Sequence, residues 1–262
     1  IDDGNYLFTE NEMLEFIKKE PGSKKYFHRF YGAEEFLQGR IRFVLWLGDC
    51  SPTELLKMPE CVKRVEAVRT FRSESKRKST VKLANTPTHF QTEHIPTTNF
   101  ILIPRHSSES RKYIPIGFMA PTDFTSDAVL IIPNATLYHF GILTSNVHMA
   151  WMREIAGRIK SDYRYSKDIV YNNFPWPQPT DQQRQKIERS AQAILDARTK
   201  FPDATLAVMY SKLDYFVELK EAHQANDRAV MEAYGMWGTV KSEAECVVML
   251  FDMYQKLVES HV

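Results

Sequence analysis

Two basic segments of the 262-residue sequence are the first candidates for a functional surface. The stretch CVKRVEAVRTFRSESKRKSTVK covers residues 61–82, and only Glu66 and Glu74 oppose its eight lysines and arginines. Clustered cations favour binding to a polyanion such as duplex DNA, because they release its condensed counterions. Its serines and threonines could also donate hydrogen bonds to phosphate. The alternative is a solvated, charged helix end that is followed by a flexible loop.

The second segment, PRHSSESRKYIP, covers residues 104–115 and combines both signs of charge in a polar loop between two β-type runs. An arginine can donate two hydrogen bonds to guanine O6 and N7, and a carboxylate can accept one from cytosine N4. Glu109 and Arg111, two residues apart, therefore have the chemistry to read one base pair. The alternative is a salt bridge within the loop.

A third basic stretch, SNVHMAWMREIAGRIKSDYRYSKDIVYNNFPWPQP, begins at Ser145 and has few acids to balance its cations. The formal net charge of +1 conceals a segregation, since residues 25–176 hold 21 Lys+Arg against 14 Asp+Glu. The remainder has 13 against 19. A basic middle between acidic ends suggests contact with a polyanion, although chance segregation gives the same totals.

Motifs of self-contained enzymes are missing from the sequence, which lacks G-x-G-x-x-G, a Walker loop, G-x-S-x-G and HExxH. Cys50, Cys61 and Cys246 form no CxxC pair, so neither a zinc knuckle nor a disulfide framework is predicted. His89 and His94 lack the spacing of a usual helical pair, and we predict no metal site. Apolar runs are too short to span a membrane, and a reducing cytoplasm is the expected setting.

Caps and prolines predict the elements of the first hundred residues. Thr9 with Glu12 predicts a capped helix that ends at Pro21. The run RIRFVLWL predicts a largely buried strand. Ser51 and Pro59 predict two short helices within SPTELLKMPECVKRVEAVRTFRSES, because proline interrupts a helix.

The later residues predict a sheet and then helices. The runs TNFILIP, YIPIGF, AVLIIP and TLYHFGIL are β-type, SNVHMAWMREIAGRIKSD is helical from Ser145, and YRYSKDIVYNNF is extended. PWPQP is a stiff connector, and three helices follow it, the first of which is capped by Thr180 or Asp181. We therefore predict an α+β chain: a linker helix (1–24), a mixed or antiparallel-sheet domain (25–178) and a small α-helical subdomain (179–262).

With these segments the sequence resembles the target-recognition domain of large bacterial DNA adenine methyltransferases, in particular the MmeI-like, type IIL restriction-modification enzymes. RYSKDIVYNNFPWP is the most specific part of the resemblance, which also includes GAEEFLQGRIRFVLWL, MPECVKRVEAVRTFR and SSESRKYIPIGF. DDGNYLFTENEM resembles the exit from the methyltransferase domain. QAILDARTKFPDATLAVMY and AHQANDRAVMEAYG resemble the helical C-terminal region of these enzymes. KLDYFVELKEAH departs from the Met-Pro turn that relatives often have there.

The resemblance implies a parent that transfers a methyl group from S-adenosylmethionine to adenine N6. The Asn/Asp-Pro-Pro-aromatic motif and the cofactor loop for that reaction are not in these 262 residues. We therefore expect a specificity module without catalytic residues or cofactor of its own. It would hold double-stranded DNA for a methyltransferase domain of the same polypeptide. Whether the parent also cleaves DNA is left open.

The resemblance also implies roles for individual residues, since the family reads bases with a Ser-Ser-Glu-x-Arg loop. We predict Glu109 and Arg111 as base readers, with Arg77 or Lys78 as a further candidate from the first basic segment. The predicted phosphate contacts are Arg72, Lys76, Arg105, Arg153, Arg158, Lys160 and Arg164. The alternative function is a protein-interaction or scaffold module whose basic face docks an acidic partner.

Overall fold

A computed structural model describes residues 2–93 and 95–260, so His94 of the histidine pair considered above lies outside the described residues. The strands and helices alternate irregularly along the chain. The strands are β1 (Leu7–Phe8), β2 (Phe27–Tyr31), β3 (Arg42–Leu45), β4 (Phe100–Pro104), β5 (His106–Ser107), β6 (Gly117–Met119), β7 (Phe124–Thr125), β8 (Val129–Pro133), β9 (Gly157–Ile159) and β10 (Asp162–Arg164). The helices are α1 (Glu10–Lys19), α2 (Ala33–Gln38), α3 (Pro52–Leu55), α4 (Pro59–Ser73), α5 (Lys78–Lys82), α6 (Leu137–Leu143), α7 (Asn146–Ile155), α8 (Asp181–Thr199), α9 (Leu206–Ser211), α10 (Val217–Ala233) and α11 (Glu243–Glu259).

The first of two compact units comprises Ile1–Tyr31, Arg40–Thr97 and Pro121–Ser126. Its sheet has the order β1-β3-β2-β7, in which only the β2–β7 pairing is parallel. The core of this unit includes the edge-to-face rings of Phe8, Phe16 and Phe27, with centroids 5.0–5.8 Å apart. This aromatic packing joins α1 to the sheet that it covers.

The second unit comprises Gly32–Gly39, Thr98–Ala120 and Asp127–Val262. It holds two three-stranded antiparallel sheets, with the orders β6-β4-β8 and β5-β10-β9. Its core is continuous from Ile101 in β4 to Ile187 in α8. A Cβ atom on Gly141 would lie 2.6 Å from Cγ2 of Ile187, so glycine at this position permits the close approach of α6 to α8.

The predicted start signals of several helices are confirmed. Thr9 accepts from the amide of Glu12, and the Glu12 carboxylate accepts in return, which completes a capping box. Ser51 caps α3, and Pro59 begins α4 as a separate helix. Thr180 caps α8 directly after the 175–179 connector, which forms no regular element. These contacts are local, since each cap lies within three residues of its partner.

Three predictions about elements are wrong. The run TLYHFGIL is not a strand but contains α6, because Thr136 and His139 form a capping box and Phe140 is fully buried. The helix that begins after Ser145 ends at Ile155, and the residues after it form strands β9 and β10. The predicted extended segment YRYSKDIVYNNF includes a π-helical turn at Lys167–Tyr171.

The predicted α+β fold with small, mixed or antiparallel sheets and a helical C-terminal part is confirmed. The helices from α8 to α11 nevertheless pack in the same compact unit as β4 and α7, and they share its core. The boundary between 178 and 179 therefore remains a prediction about sequence organisation. In the described part of the chain, no helix is long and apolar enough to cross a membrane.

Candidate nucleic-acid interface

Strand β10 of the second unit brings two distant predicted segments together. We call residues 157–164, which form β9, its turn and β10, the basic hairpin, and we call residues 108–112 the 108–112 loop. In β10, Tyr163 pairs with Ser107 and Arg164 pairs with His106 in an antiparallel register. The loop leaves the sheet directly after β5, so its Glu109 lies beside the basic hairpin although about fifty residues separate them in sequence.

The basic hairpin exposes its cations: all of β9 is exposed, and in β10 the side chains alternate between two faces. Tyr163 is buried, whereas the flanking Asp162 and Arg164 are exposed. Ile159 pairs with Asp162, which leaves a two-residue turn in which Lys160 has a φ of 56°. A non-glycine residue in this left-handed region is uncommon, so the turn holds Lys160 in a conformation that few side chains adopt.

Opposite charges meet between the loop and the hairpin. Nη1 of Arg158 lies 3.5 Å from Oε2 of Glu109 and donates a 2.7 Å hydrogen bond to the carbonyl of Ser161. The same guanidinium lies over the Tyr163 ring, 4.1 Å from its centroid. The Glu109 amide donates to Oδ1 of Asp162 at 3.3 Å. Glu109 therefore pairs with Arg158, and not with Arg111 as the alternative of an intraloop salt bridge would require.

Arg111 keeps unused hydrogen-bonding capacity. It is half-buried, and its Nε is buried with no hydrogen-bond partner among the described residues. Burial lowers the pKa of its guanidinium, and the negative charge of Asp162 opposes this shift. A desolvated guanidinium with an unpaired donor is suited to a ligand that presents acceptor atoms.

The other predicted cations of the second unit differ in their availability. Lys160 and Arg164 are exposed, and in the described ranges neither forms an ion pair. Arg105 is half-buried, and its Nε is enclosed without a hydrogen-bond partner in the part of the chain that the structure describes. These three remain predicted phosphate contacts.

Arg153 is a correction to the predicted phosphate contacts. Its Nε and Nη2 each donate to the Glu243 carboxylate at 2.7 Å, and its Nη1 donates to the carbonyl of Lys112 at 3.1 Å. Such a two-pronged contact satisfies the guanidinium. Arg153 therefore joins α7 to the start of α11, and its bond to the Lys112 carbonyl holds the end of the 108–112 loop.

Arg72, in the first unit, is a second correction. It is fully buried, and its guanidinium donates to three carbonyl oxygens: those of Leu83 and Thr86 at 3.0 Å and that of His89 at 2.9 Å. Burial lowers its pKa, which the nearby Tyr6 and Asp2 oppose. Arg72 thus holds the chain after α5 against α4, and its guanidinium is not accessible to phosphate.

The residues after α4 remain available. Lys76, Arg77 and Lys78 are exposed, and within residues 2–93 and 95–260 none of them forms an ion pair. The backbone amide of Arg77 donates to Oγ of Ser75, and Lys78 begins α5. This cluster, residues 76–78, presents three cations at a helix junction without a fixed partner.

Two contributors to the site were not among the predicted residues. Asp162 accepts the Glu109 amide, and Tyr163 supports the Arg158 guanidinium. The only signal in the sequence was an acid and an aromatic within a basic segment, IKSDYRY. Among the described residues, no group of three or more His, Cys, Asp and Glu could hold a metal ion.

Comparison with known proteins gives a consistent family. Residues 1–178 match the model of the MmeI target recognition domain, and residues 179–262 match that of the MmeI C-terminal domain. DNA methyltransferase A of Bacillus subtilis (strain 168) is 36% identical over 258 residues, which are 98% of this chain and 29% of that protein.

A solved structure of the type IIL restriction-modification enzyme MmeI in complex with DNA superimposes with a TM-score of 0.94 at 43% identity. The match covers 98% of this chain and 34% of MmeI, so the chain spans about a third of these proteins. The family matches account for both parts of the sequence, and the chain belongs to the MmeI target recognition domain family, joined to the MmeI C-terminal domain.

Proposed function

We propose that this chain is the sequence-reading module of an S-adenosylmethionine-dependent DNA adenine-N6 methyltransferase, and that it binds duplex DNA. The observation that carries the proposal is the meeting of the 108–112 loop with the basic hairpin on one exposed surface. It is supported by the MmeI structure, which contains DNA, and by the curated relative, which is a DNA methyltransferase.

In this proposal the 108–112 loop reads a base pair. The guanidinium of the half-buried Arg111 has the donor geometry to match guanine O6 and N7, and the exposed carboxylate of Glu109 matches cytosine N4. Arg77 or Lys78 in the cluster at 76–78 is the further base reader. Lys76, Arg105, Lys160 and Arg164 contact phosphate and give affinity without sequence information.

Methyl transfer is assigned to another part of the polypeptide. Among the described glycines with positive φ, Gly4 and Gly39 lie apart in the sequence, and Gly235 and Gly238 lie three residues apart after α10. The binding of S-adenosylmethionine is assigned in this proposal to that other part of the polypeptide, and we derive no step through it. The partner of this module is a methyltransferase domain of the same polypeptide, and the cytoplasm is the proposed location.

Titration of duplex binding against salt tests the proposal. The full-length protein should bind duplex DNA with a log K that falls linearly with log salt, by about 0.9 for each phosphate contact. Binding that ignores salt, or none to any duplex, would favour the alternative of a scaffold with a basic docking face. Digestion of host DNA with methylation-sensitive nucleases would then report the methylated sequence.

A further inference from the structure

We propose that Arg158 and Asp162 are positioning residues that set which base the 108–112 loop accepts. This inference rests on the function proposed above. The inference adds to that function, because it assigns part of the sequence specificity to the basic hairpin, which contributes no base-reading side chain of its own. Arg158 then acts through Glu109, and it is not the independent phosphate contact that the sequence suggested.

Arg158 is already held by three groups of its own unit. Its Nη1 donates to the Ser161 carbonyl at 2.7 Å, its guanidinium stacks on Tyr163 at 4.1 Å, and Glu109 lies 3.5 Å away. Stacking on an aromatic ring fixes the plane of a guanidinium. Arg158 is thus a fixed positive charge that holds the Glu109 carboxylate in one direction.

Asp162 performs the complementary task on the other side of the loop. Its Oδ1 accepts the Glu109 amide at 3.3 Å, and its negative charge opposes the lowering of the Arg111 pKa by burial. The acid of the loop thus pairs with a base of the hairpin, and in this proposal the acid of the hairpin attracts the base of the loop, which we call the crossed arrangement. Without the hairpin charges, Glu109 and Arg111 would be free to pair with each other, and such a pair would offer neither group to a base.

The crossed arrangement predicts that base preference depends on four residues. Two of them, Glu109 and Arg111, touch the base, and the other two hold them apart. A correctly placed two-pronged contact contributes about 1–3 kcal/mol of discrimination, which is roughly 5-fold to 150-fold between bases. If Arg158 or Asp162 no longer positions the loop, a large part of this discrimination between bases should be lost. The affinity averaged over all sequences should change little.

The test uses the full-length protein and a pool of duplexes that contain a randomised segment, from which bound duplexes are selected and sequenced. Arg158→Gln and Asp162→Asn should each reduce the preference at one base position by about tenfold. Binding averaged over the pool should change by less than about threefold, because surface ion pairs contribute little on their own. In Asp162→Asn the amide oxygen can still accept from Glu109, so this variant removes the charge that faces Arg111.

Arg164→Gln is the matched control, because Arg164 is an exposed cation of the same hairpin without an ion pair in the described part of the chain. It removes the same charge as Arg158→Gln. It should weaken binding to every duplex and lower the salt slope by about one, with the base preference unchanged. Arg158→Lys keeps a cation beside Glu109 but loses the stacked, planar guanidinium, so it should retain part of the preference and lie between the unaltered protein and Arg158→Gln.

Three outcomes separate the possibilities. If Arg158→Gln behaves like Arg164→Gln, Arg158 is a phosphate contact and the inference is overturned. If the unaltered protein selects no duplex, the proposed function fails before the positioning question arises. If Arg158→Gln lowers the melting temperature, Arg158→Lys and Asp162→Asn decide, and an unchanged preference in Asp162→Asn overturns the inference.

Discussion

The basic segment 61–82 and the group formed by the 108–112 loop with the basic hairpin both carry clustered charges, but the structure uses these charges differently. In the first unit, Arg72 is buried among carbonyl oxygens, whereas Lys76 and its two neighbours extend into solvent without a partner in the described ranges. In the second unit, Glu109 and Arg158 belong to a charged pattern that two strands hold in place. The first segment therefore divides into a structural and a free part, and the second keeps its charges as one ordered group.

This difference predicts which group contributes affinity for any duplex and which group contributes sequence specificity. A free cation on a flexible stem neutralises phosphate wherever it meets it, so it strengthens binding to all sequences alike. A base reader must present its donors and acceptors in a fixed direction, and at Glu109 the contacts with Arg158 and Asp162 provide that direction before DNA binds. Contacts with neighbouring residues hold Glu109, whereas Lys76 has no ion pair in the described ranges. Substitutions at these two positions should therefore have different consequences.

The largest expected effect belongs to Arg72. Arg72→Met keeps much of the volume but removes the guanidinium that donates to the carbonyls of Leu83, Thr86 and His89. Hydrogen bonds from a charged donor contribute more than neutral ones, so loss of the three should lower the local free energy of unfolding by about 3 kcal/mol. Hydrogen-exchange mass spectrometry of peptides covering 59–90 would measure this loss in the whole protein.

Arg69→Ala is the control for that experiment. Arg69 lies on the same helix but is exposed, and its pair with Glu66 has a distance of 3.5 Å. Its removal should change the same peptides by less than about 0.5 kcal/mol. If the local free energy of unfolding falls by less than about 1 kcal/mol in Arg72→Met, the structural role of Arg72 is wrong, and Arg72 is again a candidate phosphate contact.

Acid should affect the support beneath the basic hairpin. Nε2 of the buried His148 lies 2.8 Å from the hydroxyl of Tyr165, which follows β10 directly. Burial lowers the pKa of His148 from 6.5 to about 3. The neutral ring thus stabilises the fold fully above pH 6.5, and this contribution is lost as the pH falls toward 3.

Hydrogen exchange of peptides covering 146–165, corrected for intrinsic rates, would detect this loss. Between pH 7 and pH 5 the local free energy of opening should fall by about 2 kcal/mol from this group, or roughly 1.4 kcal/mol per unit below 6.5. His148→Gln keeps a polar group near Tyr165 without titrating, so its pH dependence should be shallower. If the local free energy of opening depends equally on pH in the two proteins, His148 does not stabilise the basic hairpin.

The smallest effect is expected at Lys76. Lys76→Ala should weaken binding to all duplexes by about threefold at moderate salt and lower the slope of log K against log salt by about one. Stability should stay within about 0.5 kcal/mol of the unaltered protein. Filter binding at several salt concentrations would measure both quantities, and a change in base preference would instead show that the cluster at 76–78 is ordered on DNA.

Local signals made part of the fold predictable from sequence. The caps at Thr9, Ser51 and Thr180 could be predicted because each satisfies an amide three residues away. Pro59 could be placed at the start of a helix because it has no amide hydrogen to donate. Glu109 and Arg111 could be predicted together as base readers because their chemistry and their spacing lie within one short loop, and that role stays a prediction.

Contacts between distant residues decided what the sequence could not predict. The β-type residues of α6 pack as a helix against α8, where Gly141 admits Ile187, forty-six positions later, and no local pattern shows this contact. Arg72 is removed from the surface by carbonyls of a chain segment that folds back after α5. Asp162 joins the site only through the pairing of β10 with β5, which no periodicity reveals.

The central claim is that the 108–112 loop reads bases, and one measurement tests it directly. Bound duplexes would be selected from a randomised pool with the full-length protein and with its Glu109→Lys variant, and both sets would be sequenced. Since lysine donates where glutamate accepts, the variant should change its preferred base at one position and keep the others. Identical preferred sequences for the two proteins would contradict the claim.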